Sequence, residues 1–353
     1  MDIDSASAVG EGTGLTTLNV GVVGTGKIGQ EHIRRLTETL AGTRIVAVSD
    51  ADAARAREVA AKVPGAKAYP TGEELIAAKE VDAVVVTSWG DTHAAYVVAA
   101  IKAGMPVFCE KPMATTEADC SAILDAEAAF GRRLVQIGFM RRFDAQYRAM
   151  KETVQKGAIG APLMFHSIHR NAFSPGHFKA TMAITDTAVH DIDIARFVLD
   201  DEPVAISVKA PRANSRAGGV ADPLLTLMDM RSGALVTIET SVHVAYGYDI
   251  RGEVIGETGT VSLAEQNEVI VKTNGAFSGR VFADWPERFD AAFDAEFRAW
   301  IAAAAKGGAA GPSAWDGYVA TAATLAGVRA LESGGLETIS LRDKPGLYAQ
   351  ASS

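Results

Sequence analysis

LNVGVVGTGKIGQEHI, residues 18–33, decides how the rest of the chain is read. A short apolar run leads into Gly24-Thr25-Gly26-Lys27-Ile28-Gly29, and an amphipathic stretch from Ile28 to Leu40 follows. A strand that ends in glycines and opens a helix makes a tight turn. Its backbone can approach a pyrophosphate, which then sits at the helix N-terminus. Such a turn needs no ligand to exist, so the motif alone is weak. The next apolar run, RIVAVSD (44–50), ends on Asp50, 21 residues beyond Gly29. A carboxylate there accepts hydrogen bonds from an adenosine ribose and repels a 2′-phosphate, which favours NAD. Lys27 inside the turn either is solvated on the first helical turn or leaves room for some NADP use.

Outward from this segment, the apolar runs VDAVVVTS (81–88), PVFCE (106–110) and RLVQIGF (133–139) alternate with helical stretches at 52–62, 94–103 and 115–130. Continuous apolar strands separated by helices predict an α/β Rossmann domain over 18–139, a doubly wound parallel sheet covered on both faces. Beyond residue 140 the texture changes. A helix is expected over 145–156, a strand over 162–170 and a helix over 186–199. Runs with period-two alternation follow at 205–210, 224–230, 234–244, 248–256, 260–265 and 268–273. They predict an α+β domain, 140–353, with a large, mostly antiparallel open sheet for substrate binding and oligomerisation. Helices over 291–305 and 315–332 close the chain.

Composition narrows the function classes. The chain has 353 residues, 48% of them hydrophobic and 22% charged, as in a folded globular protein. A formal net charge of -9 argues against nucleic acid or an anionic membrane as the main partner. Residues 1–17 lack the basic start and apolar stretch of a signal peptide and read as a disordered tail. No apolar run approaches the ~20 residues that span a membrane. Cys109 and Cys120 form no CxxC or Cys/His pattern, which points to reduced thiols and a cytoplasmic protein.

Two further strings carry chemistry. Cys109-Glu110-Lys111-Pro112 follows a strand at the C-terminal edge of the parallel sheet, where ligands of open α/β sheets bind. Lys111 can take part in proton transfer there, although a lysine in isolation is usually a surface residue. In TDTAVHDID (185–193), Asp186 and His190 are four apart and Asp193 lies three further on, so a helix would put all three on one face. Asp186 could equally be a helix cap and His190 a satisfied core histidine. A metal site is the weakest reading, because no other His/Cys cluster completes the ligand set. Met140-Arg141-Arg142-Phe143 sits at the domain junction, either as a salt-bridged turn or lining a polar cleft.

Together these residues resemble the glucose–fructose oxidoreductase/inositol dehydrogenase (Gfo/Idh/MocA) family, and its bacterial inositol dehydrogenase branch most closely. The matching strings are GTGKIGQEHI, VDAVVVTSWG, VFCEKPMATT, RLVQIGFMRRFD, HRN, TDTAVHDIDI, YGYDI and GPSAWDGYVA, spanning Leu18 to about Leu347. The resemblance implies a catalytic group of Lys111, Asp186 and His190. It implies a polyol pocket lined by Arg141, His169, Asp193 and one of Tyr246 or Tyr248. On the cofactor side it implies Gly24, Gly26, Lys27, Ile28, Gly29, Asp50, Glu110 and Lys111, with Thr87, Ser88 and Trp89 from the TSWG loop. It further implies a homotetramer and NAD-dependent oxidation of myo-inositol. His190 would be the base, Asp186 would orient or stabilise its imidazole, and Lys111 would bond the reacting oxygen. Rival readings are a dehydrogenase for scyllo-inositol, D-chiro-inositol or glucose, a non-catalytic NAD(H)-sensing protein, and a cofactor-retaining transhydrogenase-like enzyme. Residues 172–182 match the family least, so polyol identity is less determined than the reaction.

Overall fold

The structure is a computed structural model that describes residues 17–349 apart from 175, 177, 213, 216, 219 and 265–268. The tail at 1–16 and part of the 260–265 and 268–273 strand expectations lie outside the described residues.

Six strands form the first sheet: β1 (Leu18–Val23), β2 (Thr43–Ser49), β3 (Lys67–Tyr69), β4 (Ala83–Val86), β5 (Val107–Cys109) and β6 (Val135–Ile137). They pair in the order β3-β2-β1-β4-β5-β6, all parallel. The order reverses between β1 and β4, which opens a crevice at their C-terminal ends. Helices α1 (Lys27–Arg34), α2 (Ala53–Lys62), α3 (Gly72–Ile76), α4 (His93–Lys102) and α5 (Glu117–Phe130) supply the crossovers. Asp52 and Thr116 cap α2 and α5 through their side chains, and Gly131 ends α5 in the left-handed region. The expected first helix ends early: its last turn, Arg35–Thr39, is π-helical.

After α6 (Ala145–Gln155), the second sheet begins with β7 (Pro162–Arg170). A π-helical segment, Ala183–Ala188, then runs into α7 (Val189–Leu199). Strands β8 (Pro203–Lys209), β9 (Leu224–Met230), β10 (Leu235–Ser241), β11 (Asp249–Gly256) and β12 (Thr260–Ser262) follow, then a separate hairpin, β13 (Ile270–Thr273) with β14 (Ala276–Gly279). Helices α8 (Trp285–Ala304) and α9 (Ala314–Ser333) precede β15 (Leu336–Thr338). The seven-stranded sheet has the order β12-β11-β7-β10-β9-β8-β15 and is antiparallel except for β7 against β10. Its strands alternate: β9 buries Leu224, Thr226, Met228 and Met230 and exposes Leu225 and Leu227.

The last two helices do not stay with the second sheet. Phe297, Trp300, Ile301 and Ala304 of α8 pack with Leu18, Val20, Ile33 and Phe108 of the first sheet's core. Phe108 stacks on Phe297 with ring centroids 4.3 Å apart. The Ala-rich helix α9 is buried nearly all round and contacts both α5 and β8. Small side chains let it lie between the two sheets. Residues 140–353 therefore supply part of the cover of the 18–139 domain as well as their own sheet.

Candidate active site

A cleft of about 700 Å³ lies where the glycine turn, the β4–α4 and β5–α5 loops, β7, the π-helical segment and the start of α8 converge. On the cofactor side, Gly24 has φ +97°, and a side chain there would meet the Ser88 backbone at 2.4 Å. A Cβ on Gly29 would stand 2.1 Å from the Gly24 carbonyl oxygen, so the turn closes only over glycine. Gly26 caps α1 without a side chain, and a Cβ there would meet nothing. The N-terminus of α1 thus has no side-chain cap, and the space beside Gly26 is open, as close approach of a pyrophosphate requires. Lys27, Ile28, Thr87, Ser88, Trp89, Glu110 and Lys111 line the cleft. These groups fit a dinucleotide.

Asp50 sits at the end of β2, beside the glycine turn. Its carboxylate accepts from Thr25 N (2.7 Å), Thr25 Oγ1 (2.9 Å) and Asp52 N (2.8 Å). Burial pushes its pKa up, but these bonds and Arg55 more than offset that and hold it below the usual range. An ionised Asp50 keeps lone pairs for ribose hydroxyls. Lys27 is solvent-exposed, and its ammonium also pairs with Asp284 (3.3 Å) and lies 5.5 Å from the Trp285 ring centre, across the cleft.

Lys111 follows β5 in a cis Lys111–Pro112 peptide. Its Nζ donates to Asp186 Oδ1 at 2.6 Å and to the Asp186 carbonyl at 3.1 Å. His93 of α4 reaches the Pro112 carbonyl (2.8 Å) and the Ser88 carbonyl (3.0 Å), tying this loop to the TSWG loop. Behind it Glu110 Oε1 accepts from the buried His32 (2.7 Å). His190, one turn after Asp186, is buried, and its Nδ1 has no hydrogen-bond partner among the described residues. The Asp186 carboxylate that was expected to orient this imidazole lies on Lys111. Burial, then Lys111, Arg141 and His169, hold the His190 pKa well below its ordinary value. The imidazole is therefore neutral near pH 7 and competent as a base.

On the polyol side, β7 turns His169 inward by strand alternation, and Asn171 beyond it also lines the cleft. Of the two tyrosines, Tyr248 lines the cleft with its hydroxyl 3.5 Å from His169 Nε2. Three expectations are corrected. Tyr246 precedes β11 and turns outward, donating to Asp249 (2.6 Å) and accepting from Arg170 (3.1 Å). Asp193 is drawn away from the cleft by Arg142, which donates to both its oxygens at 2.6 and 2.9 Å, so Asp186, His190 and Asp193 do not converge. Arg141 lies behind the wall of the cleft, fully buried and donating to Asp191 (2.6 Å). Asp191 was missed in the sequence, as were Asn171, Asp284 and Trp285. The signal for Asp191 was its place beside His190 on a helix that has no solvent side.

A model described as an oxidoreductase family with an NAD-binding Rossmann fold matches residues 18–139, and the GFO/IDH/MocA C-terminal domain matches 147–262. The chain belongs to the Gfo/Idh/MocA oxidoreductase family. Among relatives in this family, inositol 2-dehydrogenase 3 of Saccharopolyspora erythraea is 52% identical, over 94% of this chain and 98% of that protein. Inositol 2-dehydrogenase of Azotobacter vinelandii is 47% identical, over 95% of this chain and 100% of that one. Among Gfo/Idh/MocA structures, myo-inositol dehydrogenase from Lactobacillus casei in complex with NAD(H) and myo-inositol superposes with a TM-score of 0.92. It is 36% identical, with 94% of this chain and 99% of that chain covered.

Proposed function

We propose that this chain oxidises the 2-hydroxyl of myo-inositol to 2-keto-myo-inositol (scyllo-inosose), with NAD as hydride acceptor. The observation that carries the reading is a neutral, buried His190 beside the Lys111–Asp186 pair, in one cleft with a dinucleotide turn. The names of the relatives support the substrate. The carbinol hydroxyl lies between His190 and Lys111. His190 Nε2 takes the hydroxyl proton, and Lys111 donates a hydrogen bond to the oxygen as it gains negative charge. NAD, held by the glycine turn and Asp50, would supply the acceptor for the hydride that leaves the carbinol carbon. Asp186 holds the Lys111 ammonium at 2.6 Å and, being nearly half exposed, opens a route for the proton to solvent. Asp50 receives the adenosine ribose and disfavours NADP. His169, Asn171 and Tyr248 hold hydroxyls that flank the reacting carbon, since an unpaired buried polar group is costly.

The assembly we propose is a homotetramer that covers the open face of the second sheet, where Val204, Leu225 and Leu227 are exposed. The proposed compartment is the cytoplasm, in keeping with two buried free thiols. Among the described residues no helix is long and apolar enough to cross a membrane. Replacing His190 by Asn or Lys111 by Met tests the chemical assignment. Turnover with NAD and myo-inositol should fall ~10²–10⁴-fold while NADH binding persists. A fully active Lys111→Met enzyme would overturn it.

A further inference from the structure

His169 faces the cleft with one ring nitrogen and a buried charge network with the other. Its Nδ1 lies 2.7 Å from Asp191 Oδ2 and 2.9 Å from Arg141 NH2. A single ring nitrogen cannot satisfy both. Facing Arg141 it would have to be a bare acceptor, and facing Asp191 it would have to carry the proton. The two neighbours differ in what else they have. Asp191 Oδ1 takes bonds from Arg141 NH1 (2.6 Å) and Ser167 Oγ (2.6 Å), but among the described residues Oδ2 has no donor other than His169. Arg141 keeps Asp191 Oδ1 as an acceptor whichever way the ring is protonated. A bare Nδ1 would leave a fully buried carboxylate oxygen facing a lone pair, whereas a protonated Nδ1 leaves Arg141 its bond to Asp191. The first costs more. Burial also lowers the His169 pKa, so the ring carries one proton near pH 7.

We propose that Asp191 is a positioning residue that fixes His169 as the Nδ1–H tautomer, making Nε2 an obligatory hydrogen-bond acceptor in the substrate cleft. The cleft then requires a donor at that point. A polyol meets this with a hydroxyl, whereas a substrate bearing hydrogen or a carbonyl there leaves Nε2 only the long 3.5 Å contact to the Tyr248 hydroxyl. His169 and His190 have ring centres 6.3 Å apart, so the hydroxyl that His169 reads is close to the reacting one. Asp191 would thereby set which polyols are accepted without touching them. The identity of the donor rests on the cyclic-polyol reading above.

Two measurements test this together. Neutron diffraction from perdeuterated crystals of the free wild-type protein locates the deuteron of His169. The expected position is Nδ1, and a bare Nδ1 overturns the proposal without any variant having to fold. Kinetics on myo-inositol and a panel of monodeoxy-monofluoro inositols, whose fluorine can accept but not donate, then compares wild type with Asp191→Asn, whose amide can donate to Nδ1 and reverse the tautomer. Wild type should discriminate against one fluoro analogue by at least about 100-fold. In the variant, KM for myo-inositol should rise about 10- to 100-fold with a smaller change in kcat and unaltered NADH binding, and the discrimination should shrink below about tenfold. Unchanged discrimination in the variant overturns the proposal. If wild type oxidises no inositol, the functional reading fails, while the deuteron position still decides the role of Asp191.

Discussion

At the scale of single residues, the account depends on His190 being neutral where the enzyme works. Burial disfavours its cation, and Lys111, Arg141 and His169 add to this. A base must be unprotonated to act, so kcat/KM should fall on the acid side only once pH drops well below 6.5, the ordinary histidine value. A pH–rate profile for wild type and His190→Asn checks it. An acid limb centred above pH 7 in wild type that vanishes in the variant would contradict the burial argument. Lys111, Asp186 and His190 entered as a group only through the family resemblance, because a lysine past a strand end and a four-residue helical spacing equally describe a surface lysine, a helix cap and a core histidine. Arg141 and Asp193 were misplaced because their directions are set by partners that local spacing does not reveal. Asp193 is held by Arg142, 51 positions away, and Arg141 by Asp191, 50 away. The Lys27–Asp284 pair spans 257 positions and was equally invisible.

Among the elements, the glycine turn between β1 and α1 makes the sharpest demand. A methyl group on Gly29 would overlap the Gly24 carbonyl at 2.1 Å, and backbone cannot step aside as a flexible side chain can. Gly29→Ala should therefore open the turn and weaken NADH binding at least about tenfold, as read by NADH fluorescence titration. Wild-type affinity in that variant would mean the turn does not hold the nucleotide. The long strands were readable, with β7 and β9 at the bounds the alternation predicted, because half-buried strands declare themselves by period two. Strands β3 and β15 were not, since three exposed or half-exposed residues carry no pattern. The parallel pairing of β7 with β10 was hidden because it is a matter of topology. Helix α8 starts six residues before the predicted Ala291: Asp284 caps it and Pro286 sits in its first turn, a start signal that the apolar pattern overshadowed. The π-helical segment that carries Asp186 also departs from the even helix the spacing implied.

For the whole molecule, buried ionisable groups make stability depend on pH. His32, His93, His169 and His190 all have pKa values lowered by burial. Each is more easily protonated in the unfolded chain, so its contribution is complete above about 6.5 and is lost as pH falls towards the folded value. Glu127, Asp193 and Glu296 work in the opposite direction, since burial raises them and folding keeps them protonated longer. Four imidazoles outweigh three carboxyls between pH 6.5 and 5, so Tm should drop over that interval. Thermal unfolding across a pH series checks it, and a Tm that rises on acidification would show that the carboxyls dominate. The two-sheet plan was legible from texture alone. The packing of α8 onto the first sheet was not, because an amphipathic pattern says that a helix buries a face but not against which sheet.

The central claim is that this cleft oxidises myo-inositol with NAD. Absorbance of NADH on mixing the pure protein with NAD and, separately, myo-inositol, scyllo-inositol, D-chiro-inositol and glucose, with NADP run in parallel, tests it most directly. The account predicts the fastest signal with myo-inositol and NAD and a weaker one with NADP. Silence with every polyol, while NADH still binds, would contradict it and favour a sensing role for the same fold.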